Sequence, residues 1–264
     1  MQSFLNRRAA LVFVGAALLG PLQAEQTGPG RRFLAGDDST KRLAIIAPDG
    51  SFEREIKVGG IHDAHLLANG NILTQQGFRK VVELAPDGKV VWEYDSGKMN
   101  GNAGQRIEVH AFQRVENGLT MIAESGAGRI IEVDKDGQIQ KEVKLKRNKP
   151  NAHSDTRLVR KLANGNYLVA HEADGAVREY DAAGKVVWEF DVPLFDKPKK
   201  GGHGPEAWGN SVFCAVRLAN GNTLIGSGNG HSVLEVTPAK EIVWKVEQNE
   251  LPGITLAWVT CVER

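Results

Sequence analysis

Two histidines and an arginine share one place in a repeating frame. His62 and His110 each stand seven residues ahead of an Asn-Gly pair, at Asn69 and Asn117. Arg157 holds that place ahead of Asn164, and Phe213 holds it ahead of Asn220. Side chains at equivalent positions of equivalent strands point the same way. Two imidazoles and a guanidinium that converge would make an anion pocket, because arginine offers a planar fork of donors and histidine can carry a proton or act as a nucleophile. His62, His110, His153 and Arg157 are therefore the candidates for any catalysis. His65, His171, Glu172 and His203 join them as candidate ligand-binding residues, since all belong to irregular segments beside the same frame. The plain alternative is that these groups fill and wet a channel, hydrogen-bonded to backbone and water. A metal is not expected, for the chain has neither HxH nor HExxH spacing, although His62 with Asp63, or His153 with Asp155, could contribute ligands.

The frame itself is a repeat. LLANGNILTQQGFRKVVELAPDGKVVWEYD, from Leu66 to Asp95, recurs with drift from Arg114 to Val143, Lys161 to Phe190 and Arg217 to Val246. Each copy holds short β-branched runs between an Asn-Gly and an Asp-Gly-Lys-like turn. Such runs suit strands, and Asn-Gly between them marks a hairpin of type I′, with positive φ at both central residues. With the segment before each Asn-Gly, every copy is a four-stranded antiparallel meander of strands A to D. The Asn-to-Asn spacings of 48, 47 and 56 residues match the turns before strand D at Gly88, Gly137, Gly184 and Lys240, spaced 49, 47 and 56. Four strands per 40 to 50 residues is the signature of a blade. The fold class is all-β, a β-propeller.

Residues 32 to 58 supply strands B, C and D of a first blade, with Asp49-Gly50 in the turn, but no strand A. The apolar run Thr255-Leu-Ala-Trp-Val-Thr-Cys-Val offers that strand from the other end of the chain. Pairing of N- and C-terminal strands would then close five blades, or the chain would be part of a six-bladed parent. Asn-Gly and Asp-Gly-Lys turns fall on one face. The other face collects the irregular loops, including an insertion from Pro193 to Asn210 that reads as a surface flap and an SGKMNGNAGQR connector from Ser96 to Arg106. Departures from the repeat are where one ligand can be recognised, so the functional site is expected at the loop-rich mouth of the central channel.

Met1 to Ala24 carries Arg7-Arg8, an apolar run of 11 residues from Ala9 to Leu19, and a small-residue end. That plan is a cleaved export signal, too short in its apolar part for a span of about 20 residues. Residues 25–264 are then one propeller domain, periplasmic or secreted, with no membrane span after cleavage. With 33 basic and 32 acidic residues and a net charge of +1, the chain has no electrostatic case for nucleic acid. Cys214 and Cys261 show neither metal spacing nor a disulfide framework, and their pairing is left open. Glu83, Glu132, Glu179 and Glu235 share one strand C position, and Trp92, Trp188 and Trp244 share one in strand D. A catalytic group is not made in quadruplicate, so the glutamates read as structural and the tryptophans as wedges between blades.

The combination LxNGNxL followed by VxExxxxGKxVW, over residues 32 to 264, resembles exported bacterial propellers of the PQQ-like, quinoprotein-related group and is also similar to arylsulfotransferase-like propellers. Tyr180-Asp-Ala-Ala-Gly-Lys-Val-Val-Trp188 looks like the tryptophan-docking motif of quinoproteins. The adjacent cysteine pair that commonly covers PQQ in the dehydrogenases has no counterpart, so PQQ or another firmly bound redox cofactor is not expected. The arylsulfotransferase resemblance implies sulfuryl transfer to a channel histidine, with His62, His110, His153 and Arg157 matching by position. The expected function is a monomeric binding or interaction module for a small molecule or protein at the channel mouth, with that group transfer as the alternative.

Overall fold

The computed structural model describes residues 30–260. The export signal expected over residues 1–24 lies outside them, as does Cys261 and with it the question of its pairing with Cys214.

Nineteen strands among the described residues form five antiparallel sheets, each a meander in chain order, set in a ring as a β-propeller. Blade 1 is β1 (Phe33–Asp37), β2 (Arg42–Ile46) and β3 (Phe52–Lys57). Blade 2 is β4 (His65–Leu66), β5 (Ile72–Gln76), β6 (Lys80–Leu84) and β7 (Val90–Asp95). β8 (Glu108–Arg114), β9 (Thr120–Ser125), β10 (Arg129–Val133) and β11 (Ile139–Lys144) make blade 3. Blade 4 follows as β12 (Val159–Lys161), β13 (Tyr167–His171), β14 (Ala176–Tyr180) and β15 (Val186–Asp191). Blade 5 consists of β16 (Val212–Arg217), β17 (Thr223–Ser227), β18 (Ser232–Val236) and β19 (Ile242–Val246).

The core is a series of layers between blades. Both faces of the middle strands are buried, which is why those strands read as apolar runs and not as clean alternation. On β9, Met121 and Ala123 face blade 4 while Ile122 faces blade 2. Polar ties repeat across these layers. Glu83 accepts from Asn69 and Asn71 of its own hairpin and from Arg114 of blade 3. Glu179 does the same with Asn164, Asn166 and Arg217 of blade 5, the last at 2.7 Å. Trp92 and Trp188 each donate their indole N–H at 3.0 Å to a carbonyl in the next blade's turn, Lys135 and Pro238. Arg114 and Arg217 also lie over those same indole rings, both at 5.4 Å. Glu83, Glu179, Trp92 and Trp188 thus join neighbouring blades, whereas Trp244, expected as a third wedge, is 48% exposed on β19.

Three details differ from the expectation. Three of the four Asn-Gly hairpins are not type I′: Gly70, Gly165 and Gly221 have φ of 81° to 86°, and their asparagines do not have positive φ. Leu67 accepts from Gly70 N–H and donates to Asn71 O, so the loop is three residues ending in a left-handed glycine. Asn69 is held there by its side chain, which accepts from Asn71 N–H and donates to Glu83. The connector from Ser96 to Arg106 is tied down, with buried Asn102 donating to Ser96 O at 2.7 Å and Asn100 donating to Gly137 O at 3.0 Å. Residues 255–260 form no strand, and Val259 N–H reaches Gly228 O on blade 5 at 3.4 Å. Gly226 allows that approach, since a Cβ there would lie 3.0 Å from Val259 Cγ1. The remainder of the expected closing strand falls outside the described residues.

Candidate functional site

On the loop-rich face the inner strands surround a cavity of ≈ 600 Å³. Residues from all five blades or their connections reach it, from Asp38 in blade 1 to Phe213 in blade 5. His62, His110, Arg157 and Phe213, the four equivalent positions of the repeat, all line it, together with His153, Glu172 and His203. Two of the four are aimed by β-bulges. In β8 the register passes from Val109 opposite Glu124 to Ala111 opposite Ala123, which leaves His110 unpaired. In β16 it passes from Val212 opposite Ser227 to Cys214 opposite Gly226, which leaves Phe213 unpaired. A bulge leaves one residue unpaired, re-aims its side chain and bends the strand locally.

Arg157 is the hub. Its Nε–H donates to Glu172 Oε2, its Nη1 reaches His110 Nε2 at 3.3 Å, and its Nη2 reaches His153 Nε2 at 3.1 Å. The guanidinium carbon sits 4.8 Å from the centre of the Phe213 ring. Since His110 Nδ1–H donates to Thr156 O at 3.0 Å, its Nε2 is the acceptor. His153 follows the same logic, donating from Nδ1 to Glu108 Oε2 at 2.7 Å and accepting at Nε2. Burial, and then the Arg157 charge, push His110 down to about 3. The same two causes lower His62. The His62 ring makes no hydrogen bond among the described residues, and it packs edge-on against His110 at 4.7 Å and at a tilt against Phe78 at 5.4 Å. Guanidinium carries five N–H groups. Three are engaged here, and two remain for a ligand.

An apolar wall faces this hub. Trp258 packs on Phe213 at 5.0 Å and on His203 at 4.4 Å. His203 comes from the insertion, which is a folded flap: Lys200 and Trp208 form a bridge, Trp208 Nε1–H donates to Leu194 O, and Lys197 lies 4.0 Å from the Trp208 ring.

His171 does not join the site. Alternation along β13 puts it on the face of Tyr167 and Val169, buried against blade 3, and the next residue, Glu172, reaches the channel. Its Nδ1–H donates to Asp155 O at 2.8 Å and its Nε2 accepts from Tyr180 OH at 2.9 Å. His65 does not line the cavity either, and its Nε2 stands 3.2 Å from Asp63 Oδ1. Asp63 is a strut across the channel, gripped by Arg160 at 2.7 and 2.8 Å and by Phe112 N–H at 3.2 Å. Burial pushes its carboxyl up, and His65 and Arg160 more than offset this, so that it rests at about 2. Its oxygens, like those of Asp155, which serve Gly126, Arg147 and Asn151, are committed to the protein. Neither pairing of a histidine with these aspartates is available to a metal.

Glu108 is the residue that the repeat comparison misses. It binds His153, lies 3.4 Å from His110 Nε2 and takes both Nε and Nη2 of Arg106. Its signal in the sequence was its closeness to His110, two residues on in Glu108-Val109-His110. Glu108, His110 and His153 each offer a ligand atom within 4.8 Å of one another, a set that could hold a metal ion among the described residues.

Among the described residues no helix is long and apolar enough to cross a membrane. No curated protein sequence matches the chain. Similar solved structures share the fold. A protein of unknown function from Bacteroides caccae is 21% identical, with 88% of this chain and 77% of that one covered and a TM-score of 0.67. Virginiamycin B lyase from Staphylococcus aureus is 15% identical, with 84% and 71% covered and a TM-score of 0.56. The WD40 propeller domain of Doa1 is 18% identical, with 74% and 57% covered and a TM-score of 0.53. None of these is described as an arylsulfotransferase, so that similarity is not shown. The repeats place the chain more narrowly: the PQQ-like repeat family model described as outer membrane protein assembly factor BamB matches residues 32–259, and the chain belongs to that family.

Proposed function

We propose that this is an exported binding module, released from a leader over residues 1–24, whose channel mouth holds a small molecule bearing an anionic group. The observation that carries this reading is Arg157, fixed by Glu172 and Phe213 at the cavity, with two N–H groups left over and the donor-capable His62 ring nearby. Arginine held in one orientation recognises a carboxylate, sulfate or phosphate with little further ordering. Phe213, Trp258 and Phe78 supply the apolar surface for the rest of the molecule. The family's description as an assembly factor favours binding, and we read the module as a monomer without a redox cofactor of its own.

A ligand that binds only the folded state raises its melting temperature. A panel of aromatic and aliphatic carboxylates, sulfates and phosphates should yield binders whose shift disappears in Arg157→Gln while the unliganded variant stays folded. Binders that shift Arg157→Gln equally would place the site elsewhere. Turnover of a chromogenic aryl sulfate, lost in His62→Gln or His110→Gln, would replace binding by sulfuryl transfer.

A further inference from the structure

We infer that Glu108, His110 and His153 form a site for one divalent cation of the zinc class, with Glu108 Oε2, His110 Nε2 and His153 Nδ1 as ligands and a fourth position open to the cavity. Two imidazoles and one carboxylate are a borderline-soft donor set, suited to zinc or cobalt and not to calcium or magnesium, which take oxygen ligands. At metal–ligand bonds of about 2.0 to 2.2 Å, a tetrahedral ion spaces its ligand atoms by roughly 3.3 Å. Glu108 Oε2 and His110 Nε2 are already 3.4 Å apart. Glu108 Oε2 and His153 Nδ1 stand at 2.7 Å and share a proton, so they must part by about half an ångström, as the spacing just given requires. His153 is on a connecting loop with its side chain half exposed, and can give that movement. The bond from His110 Nδ1–H to Thr156 O fixes the tautomer that presents Nε2, the support that metal-binding histidines require.

Arg157 is the competitor for this site. It donates to Nε2 of both histidines. An ion on His110 Nε2 takes one of those acceptors outright. On His153 Nδ1 it removes the second, because the ring proton must move to Nε2. Cation binding therefore releases both Nη contacts, and Arg157 stays tethered by Glu172 and Phe213 with its fork free. Removing Arg157 should tighten the cation, which no ligand role for Arg157 itself would produce.

The site is tested without any organic ligand. Tag-free full-length protein is titrated with Co²⁺, read by the strong visible absorption of a tetrahedral ion, and with Zn²⁺ in competition, read by bound metal per chain after dialysis. Wild type should take one ion. His110→Gln and His153→Gln should each weaken it at least a hundredfold, and Glu108→Gln at least tenfold. Arg157→Gln should bind about tenfold more tightly. His153 is half exposed and on a loop, so its variant is the one expected to stay folded, checked by its melting temperature, and loss of uptake there is interpretable even if a buried variant fails to fold. No tetrahedral signal in wild type and Arg157→Gln, or uptake unchanged in His153→Gln, would overturn the assignment. Either result leaves the reading of Arg157 as an anion site untouched, since no anion takes part.

Discussion

The burial of His171 makes a prediction that can be worked through. Burial, and then the neighbouring Arg178 charge, hold this ring down at about 4. An unfolded chain returns it to about 6.5. The ring is neutral in both states above pH 7, so no stability depends on its proton there. Below pH 6.5 the unfolded chain takes up a proton that the folded chain refuses, so stability is lost as pH falls, until the folded ring titrates near 4. Between pH 7 and pH 5 this amounts to roughly 2 kcal/mol. In His171→Gln that dependence disappears. The variant should be less stable than wild type at pH 7 by about 1 to 2 kcal/mol, from weakened bonds to Asp155 and Tyr180. At pH 5 the deficit should vanish or reverse. Urea unfolding of both proteins at pH 7, 6 and 5 reads the difference directly, and His110 contributes to both curves alike. A gap between the two proteins that stays constant within about 0.5 kcal/mol from pH 7 to 5 would refute the reasoning, whatever the absolute stabilities.

Glu179→Gln should cost about 2 kcal/mol, because it leaves Arg217 without its carboxylate at the joint of blades 4 and 5, whereas Lys135→Ala, in a pair more than half exposed, should leave the denaturation midpoint unchanged. Chemical denaturation separates the two. Lys240 has a φ of 71°, where blades 2, 3 and 4 have glycine with φ of 76° to 83°, so Lys240→Gly should stabilise by about 1 kcal/mol. A variant no more stable than wild type would show that the lysine side chain offsets its backbone. Trp188→Phe should lose the bond to Pro238 O while keeping an aromatic ring for Arg217, at a cost of about 1 kcal/mol in the same assay.

What the sequence disclosed, it disclosed by counting. The seven-residue offset before each Asn-Gly placed His62, His110, Arg157 and Phe213 on one ring, because a repeat preserves register and register fixes side-chain direction. Quadruplicate glutamates read as structure for the same reason. Counting fails where residues meet by closure of the ring. Asp63 and Arg160 are 97 positions apart, and nothing in either segment announces the strut they form. Glu108 was hidden because its partner His153 comes from an irregular loop, 45 residues on, which no repeat period predicts. His171 was misplaced by one residue of alternation, a distance that decides between channel and core in any strand. The turn type at Asn69 was misread because side-chain bonds to Asn71 and Glu83 override the dipeptide's usual preference.

The joints between blades have a direction. Blades 2 and 4 each offer a tryptophan and a glutamate, and the following blade returns a turn carbonyl and an arginine: Lys135 and Arg114 for blade 2, Pro238 and Arg217 for blade 4. Blade 3 does the same in other letters, its Glu132 receiving Lys161 and the Tyr167 hydroxyl. Blades 2, 3 and 4 are each completed by the blade that follows. A chain emerging from its N-terminus therefore leaves each of these three blades without those partners until its successor arrives. A lesion in one repeat is felt first by the repeat before it.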